Sequence, residues 1–136
     1  MILELRTEQL KLMQEECRKM HPIEACALLF GKISARNAVL EKLVITPNVL
    51  KSSVRFEIDP KTFYDALMQS ADEELEFIGF FHSHPAPAYP SNVDIDFMRL
   101  WGDAIWLIMS SIDNNFAAFQ MVKSKVQKVT MKEIKI

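Results

Sequence analysis

Two histidines separated by a single residue stand at the end of an apolar run in the stretch FIGFFHSHPAPAYPSNVD, residues 77–94. Residues two apart in a β-strand point to the same face, so His82 and His84 should project side by side, on the face expected for Ile78 and Phe80. Two imidazoles at that spacing can bind one metal ion, and neutral imidazole suits zinc. The spacing therefore predicts that a strand ending at His84 presents two metal ligands.

A third ligand is needed, because a catalytic zinc takes three protein ligands and a water. Three prolines stiffen the loop after His84, and this loop delivers Ser91 and Asp94. Asp94 falls in the first turn of a helix predicted to begin near Asn92, so it could return over the histidine pair. Ser-x-x-Asp is also the pattern of a helix capping box. The residues alone favour that capping role, which does not exclude metal binding.

The whole string HSHPAPAYPSNVD is much more specific than His-x-His, and it resembles the JAMM motif, also called MPN+, of zinc-dependent isopeptidases and deubiquitinase-like metalloproteases. The family pattern is His-Ser/Thr-His-Pro, a short proline-containing loop and Ser-x-x-Asp, with a glutamate upstream. The segments HPIEACALLFG, at 21–31, and PNVLKSSVRFEIDP, at 47–60, also resemble the family. The resemblance covers the chain from about Thr7 to Ser111.

The resemblance implies a role for each residue that matches the motif. His82, His84 and Asp94 would bind one catalytic Zn²⁺. Glu24, which the residues alone would leave as an unremarkable acid at the start of a strand, would be the general base that takes a proton from water and passes it to the leaving amine. Ser91 would donate a hydrogen bond to the oxyanion of the scissile carbonyl.

The resemblance also implies a substrate, namely the extended C-terminal tail of a ubiquitin-like or small-modifier protein, joined through a lysine isopeptide or a linear amide. Processing of a sulfur-carrier adduct in cysteine or cofactor biosynthesis is an alternative with the same chemistry. A non-catalytic MPN scaffold domain is an alternative from another class, although such relatives generally lack the metal ligands. An extended tail could add as a strand to an exposed sheet edge, and residues 48–55 are the candidate edge.

The sequence departs from the family pattern at three points. Six residues separate His84 from Ser91, where the family usually has seven, and Ala27 stands where relatives often have glycine. No further Cys/His cluster corresponds to the structural zinc site of longer relatives. A zinc deaminase is a poorer match, because that class needs a Pro-Cys-x-x-Cys segment, which is absent.

Composition is that of an ordinary globular protein, with 49% apolar and 25% charged residues and a net charge of −2 over 136 residues. This balance gives no reason to expect a nucleic acid or an anionic membrane as partner. No apolar run is long enough to span a bilayer, and the N-terminus does not resemble a signal peptide, so we expect a cytoplasmic protein. Cys17 and Cys26 are expected to be buried thiols, with one disulfide between them left open.

Apolar periodicity and turn residues predict one domain over residues 1–136. The class expected is α+β (α/β mixed), with a central mixed, mostly antiparallel sheet flanked by helices, and the resemblance implies the cytidine-deaminase-like MPN fold. Thr7 is the predicted N-cap of the first helix, and a lysine-rich last strand from Lys125 is predicted at a sheet edge. Trp101 and Trp106 are expected in the core, and Tyr89 at the rim of the cleft. Helices are predicted from Thr7 to a stop at Pro22, from Pro60 to about Ala71 and over Asn92–Trp101, and strands over Glu24–Lys32, Asn37–Thr46, Val54–Ile58, Leu75–His84, Ala104–Ser110 and Phe116–Val122.

Overall fold

Short apolar runs and alternating segments form seven β-strands and three helices in residues 1–135, the part of the chain that the computed structural model describes. The strands close into a barrel with the neighbour order β1-β3-β2-β4-β5-β6-β7. In chain order the elements are β1 (Ile2–Arg6), α1 (Thr7–Met20), β2 (Cys26–Ile33), β3 (Asn37–Thr46), α2 (Pro60–Asp72), β4 (Glu76–His84), α3 (Asn92–Leu100), β5 (Ile105–Ser110), β6 (Phe116–Val122) and β7 (Lys125–Ile134).

The barrel is a mixed sheet. Strand β2 pairs antiparallel with β3 and β4, and β6 pairs antiparallel with β5 and β7. Strand β1 lies parallel to both β3 and β7, and β4 lies parallel to β5. The mixed α+β class is therefore confirmed, whereas a flat sheet flanked by helices is wrong, because β1 joins β3 to β7 and closes the sheet. For the same reason β7 is not an edge strand.

Two local predictions fail because other contacts take their place. Val54–Ile58 does not form a strand but lies in an irregular connection between β3 and α2. Thr7 is the first helical residue of α1 rather than its N-cap, and the cap position belongs to Arg6, whose backbone N–H donates to Gln9 Oε1 at 2.8 Å. The Thr7 hydroxyl instead donates to Glu133 Oε2 at 2.6 Å.

The barrel wall separates two apolar clusters. One contains α1 side chains and residues of the wall such as Phe81, and the other contains side chains of α2 and α3 together with Phe80 and Trp106. Ile78 belongs to the first cluster and not to the face of Phe80, because the pairing of β4 with β2 shifts by one residue between Gly79 and Phe77. After this irregularity the strand alternates regularly, so Phe80, His82 and His84 all point to the side where α3 lies.

Gly79 permits the close packing of β4 on β5. A Cβ atom at this position would lie 1.8 Å from the carbonyl oxygen of Ile105, so no larger residue fits without moving the backbone. Beyond Gly79 the two strands remain paired to the end of β4, where His84 is opposite Ser110. The C-terminal half of β4 is thus held between β2 and β5.

The remaining predictions of burial are settled by the side-chain environments. Trp106 is buried, but Trp101 is 43% exposed and stacks on Phe63, with ring centroids 5.3 Å apart, so its assignment to the core is wrong. Cys17 and Cys26 are both buried free thiols, and the alternative of a disulfide does not hold. None of the helices in residues 1–135 has the length and apolar character that a membrane crossing requires.

Candidate metal centre

The two histidines are fixed at the buried end of β4. His82 is fully buried, and His84 is 7% exposed. His82 is opposite Cys26 on one side and Ile108 on the other, so strands support it from both directions. The ring of Phe56 stacks on the His82 imidazole, with centroids 4.8 Å apart, and the two imidazole centroids are 5.5 Å apart. The predicted side-by-side placement is therefore present in the fold.

Asp94 is positioned by the N-terminus of α3. The Ser91 N–H donates to Asp94 Oδ2 at 2.9 Å, and the Asp94 N–H donates to Ser91 Oγ at 3.1 Å, which together make the capping box expected from the sequence. The same Oδ2 atom lies 3.0 Å from His82 Nε2. The cap thus aims the carboxylate at the histidine pair, and the structural role of Ser-x-x-Asp coexists with its place beside the two imidazoles.

The donor set of this cluster fits a transition-metal ion. One ligand atom from each of His82, His84 and Asp94 lies within 4.8 Å of the others, and no second group of this kind occurs among the 135 described residues. The buried Nδ1 atoms of both histidines have no hydrogen-bond partner, while His84 Nε2 lies 3.2 Å from the Tyr89 carbonyl oxygen. Two imidazoles and a carboxylate are ligands that zinc accepts.

Electrostatics favours the ligating protonation states. Burial acts to raise the pKa of Asp94, but the hydrogen bond and charge of His82 and the hydrogen bonds of Ser91 outweigh it, so the pKa lies below its usual value. Burial, followed by the neighbouring His82, lowers the pKa of His84. An anionic Asp94 and a neutral His84 are the forms that bind a metal ion.

Glu24 lies two residues before β2, and not at the start of the strand as predicted. It is buried to 97%, since only 3% of its surface is exposed, and its Oε1 atom has no hydrogen-bond partner. Burial, and secondarily the charge of Asp94, raises the pKa of Glu24 to about 8. An unpartnered buried carboxylate with such a pKa can hold a proton or release it near neutral pH.

An open groove connects Glu24 to His84. The exposed ring of Tyr89 stands at its margin, as expected from the sequence, and Val54 faces it from the connection before α2. The groove is lined by Glu24, Ser53, Val54, His84, Pro85, Ala86, Pro87, Tyr89 and Ser91.

Ser83 has a part that sequence reasoning missed. Its hydroxyl accepts a hydrogen bond from the Ala25 N–H at 3.0 Å, and its N–H donates to the Ala25 carbonyl at 3.1 Å. The residue between the two histidines thus ties the Glu24 segment to β4. A small hydroxyl residue in the middle of His-x-His was the available signal, but its partner is 58 positions away in the chain.

The raised pKa of Glu24 predicts an unusual dependence of stability on pH in the metal-free protein. Between pH 4.5 and about 8 the folded state holds a proton on Glu24 that the unfolded state has lost, so the free energy of unfolding falls as pH rises through this range. Because one pKa unit corresponds to 1.36 kcal/mol, the raised pKa of Glu24 should lower the free energy of unfolding of the parent by about 3 kcal/mol as pH rises from 4.5 to 7. Glu24→Gln should abolish this decrease.

Urea unfolding of chelator-treated parent and Glu24→Gln proteins between pH 4.5 and 8 measures this difference. The two stability curves should diverge in favour of the variant as pH rises. Parallel curves would show that Glu24 has an ordinary pKa. The exposed Glu57 provides a matched control, since Glu57→Gln should leave the shape of the curve unchanged.

Known proteins resemble this chain in sequence and in fold. Residues 7–123 match the family model described as prokaryotic homologs of the JAB domain. The chain is 40% identical over 108 residues to the desampylase of Pyrococcus furiosus, a match that spans 79% of this chain and 74% of that protein.

Solved structures give the same picture of the fold. A protein from Desulfitobacterium hafniense, determined in solution, has a TM-score of 0.86 at 26% identity and covers 98% of this chain and 94% of its own. A JAB1/MPN domain protein from Archaeoglobus fulgidus has a TM-score of 0.63 at 21% identity, with 97% and 96% covered. The second likeness bears on the fold alone and supports the mixed α+β architecture.

Proposed function

The chain belongs to the prokaryotic JAB family, and from this premise we propose that its single domain is a zinc-dependent hydrolase that cleaves the amide bond after the C-terminal tail of a ubiquitin-like modifier protein. One observation carries the proposal. The buried, unpartnered carboxylate of Glu24 shares a groove with His84 and Ser91, beside a complete set of three candidate metal ligands. A non-catalytic scaffold would have no use for this combination.

In this proposal His82, His84 and Asp94 hold the ion. When bound, Zn²⁺ supplies Lewis acidity that lowers the pKa of a water molecule to about 7. Glu24 accepts the proton of the attacking water, holds it, and transfers it to the amine as the amide bond breaks. A base works best with a pKa near the operating pH, and the burial of Glu24 moves its pKa in that direction.

Ser91 is proposed to stabilise the oxyanion. Its Oγ atom already accepts a hydrogen bond from the Asp94 N–H, which leaves the hydroxyl proton free to be donated into the groove. A donor fixed in this way by a helix cap needs little reorganisation when negative charge develops on the substrate carbonyl. The capping box and the catalytic assignment therefore use different parts of the same hydroxyl group.

Ser91→Ala should lower kcat on the order of 100-fold, because it removes one oxyanion donor. It should also cost about 1 kcal/mol of stability through loss of the helix cap. Asp59, which caps α2 by accepting from the Thr62 N–H at 3.0 Å, supplies the control for the second effect alone. Asp59→Ala should lose similar stability and keep kcat, and equal kcat for Ser91→Ala and the parent would remove Ser91 from the mechanism.

The relative in Pyrococcus furiosus supports the substrate class, because the name desampylase denotes removal of a ubiquitin-like modifier. Pro85, Ala86 and Pro87 give one side of the groove an apolar surface that a peptide tail could contact. The segment 48–55 does not supply a β-edge for that substrate, because it has no strand conformation. We therefore place the tail along the groove between Val54 and Tyr89.

The experiment that tests the proposal is incubation of the zinc-loaded protein with linear fusions and lysine conjugates of each ubiquitin-like protein from the same cell. Cleavage that yields the free modifier tail, and that stops when a chelator is added, is the expected result. Mass spectrometry of the products distinguishes a lysine isopeptide from a linear amide and from a sulfur-carrier adduct. Failure to cleave any of them would overturn the proposal.

A further inference from the structure

Asn48 is a buried amide in the connection between β3 and α2, with 3% of its surface exposed. Its Nδ2 group lies 3.1 Å from the Glu24 carbonyl oxygen, 3.3 Å from that of Ser52 and 3.1 Å from that of Arg55, and donates to all three. A primary amide has only two N–H bonds, so one of them must be shared between two of these carbonyl oxygens.

The carbonyl oxygen of Asn48 is also used. Its Oδ1 atom accepts from the Leu50 N–H at 3.1 Å and from the Glu57 N–H at 3.2 Å. One side chain therefore satisfies both ends of an irregular segment that has no strand partner to do so. Together with the backbone hydrogen bond from the Val49 N–H to the Glu57 carbonyl at 3.0 Å, these contacts hold the two ends of residues 48–57 together.

Glu24 depends on the same amide for the position of its backbone. It lies outside any strand, its carbonyl accepts from Asn48 Nδ2, and its N–H donates to the Ser52 carbonyl at 2.8 Å. Ser52 is itself held by Asn48. Both backbone groups of Glu24 thus rest on Asn48, one directly and one through Ser52.

The next residue is attached to the opposite wall. Ala25 makes both of its backbone hydrogen bonds to Ser83, between the two histidines of β4. The Glu24 backbone is therefore attached on two sides. Ala25 binds it to β4 between the histidines, and Asn48 binds it to the connection before α2. Release of the Asn48 side would leave only one end of this segment fixed.

We propose that Asn48 is a positioning residue that sets the place of the Glu24 carboxylate relative to His82, His84 and Asp94. The inference rests on the proposed function, since it assigns Asn48 a task only if Glu24 acts as the base. Displacement of a reacting group by about 1 Å can cost on the order of 100-fold in rate. Asn48 does not itself line the groove, so its effect passes through the backbone of Glu24.

Asn48→Ala should lower kcat between about 10- and 100-fold and change the affinity for Zn²⁺ far less, because Asn48 forms no hydrogen bond to a candidate ligand. Some rise in KM is also expected, because the segment that Asn48 holds includes Val54 at the groove. The matched control is Gln9→Ala. Gln9 is equally buried and also donates from its side-chain amide to a backbone carbonyl, that of Leu40 at 3.1 Å, but it lies on α1. This control should lose stability and keep kcat.

An unchanged kcat in folded Asn48→Ala would overturn the proposal, and so would an equal loss of kcat in Gln9→Ala. Should Asn48→Ala fail to fold, Asn48→Ser carries the same measurements, because its hydroxyl retains one donor and one acceptor. Loss of metal affinity in parallel with kcat would also count against a role that acts through Glu24.

Amide hydrogen exchange separates this proposal from the proposed function. The Glu24 and Glu57 N–H groups should exchange at least about tenfold faster in Asn48→Ala than in the parent, whereas the Ala25 N–H, held by Ser83, should change less. If the parent cleaves no conjugate, the proposed function fails. The exchange rates then still test whether Asn48 anchors the backbone of Glu24. An unchanged exchange rate at the Glu24 N–H would refute the anchoring by Asn48, whatever the activity of the variant.

Discussion

Glu24→Gln is expected to lower kcat by 100-fold or more while the protein keeps its metal ion. General base catalysis contributes typically 10²- to 10⁴-fold, and glutamine matches glutamate in size but cannot accept the proton of water. Metal binding should persist, because the cluster of candidate ligands contains His82, His84 and Asp94 but not Glu24. The variant therefore separates the proton-transfer step from the metal site.

The measurement is kcat on the best conjugate found for the parent, together with the zinc content of the purified proteins. Glu57→Gln, which neutralises an exposed acid in the connection between β3 and α2, should behave like the parent. Turnover of Glu24→Gln at the parent rate would exclude Glu24 as the base. Loss of zinc from Glu24→Gln would instead make Glu24 a fourth ligand and would require a different mechanism.

Elements with strong local signals could be predicted from the sequence alone. The predicted bounds of Asn37–Thr46 and Phe116–Val122 are those of the structure, because each strand is flanked by turn-forming residues and pairs with its neighbour in the chain. The three helices were found within two residues of their observed ends for the same reason. Local patterns suffice where the contacts that decide an element are themselves local.

Closure of the barrel could not be predicted in this way. Strand β1 is five residues long and passes into α1 without a turn, so the sequence offers no boundary that would mark it. Its partners, β3 and β7, are distant in the chain and parallel to it. The shift at Gly79 that turns Ile78 away from Phe80 likewise depends on how β4 meets β2 and has no local signal.

The candidate site shows the same division. His82, His84 and Asp94 fall within thirteen consecutive residues, so strand alternation predicts the histidine pair and a helix start near Asn92 allows Asp94 to lie over it, although the resemblance was needed to make Asp94 a ligand. Glu24 was found only through the family resemblance, because its place depends on Ser83 and Asn48. Neither of these two residues carries a pattern that predicts its partner, since the partners are fixed only when the barrel closes.

Asp94→Asn should reduce the affinity for Zn²⁺ by at least 100-fold and abolish turnover at ordinary zinc concentrations, because it removes the anionic ligand of the cluster. Loss of a group that merely supports a ligand typically costs 10- to 100-fold in affinity, so loss of the ligand charge should cost more. Helix α3 should remain folded, since the Asn side-chain oxygen can still accept the hydrogen bond of the Ser91 N–H that Asp94 Oδ2 now accepts.

The control is Asp59→Asn, which makes the same chemical change at the N-cap of α2, where the carboxylate is hydrogen-bonded to Thr62. An ion that binds only the folded state raises the melting temperature, and the rise increases with the logarithm of its affinity, so added Zn²⁺ should stabilise the parent and Asp59→Asn much more than Asp94→Asn. This readout does not depend on a substrate. A zinc-induced rise in melting temperature that is equal in all three proteins would place the metal elsewhere, and the proposed mechanism would lose the ion around which Glu24 and Ser91 are arranged.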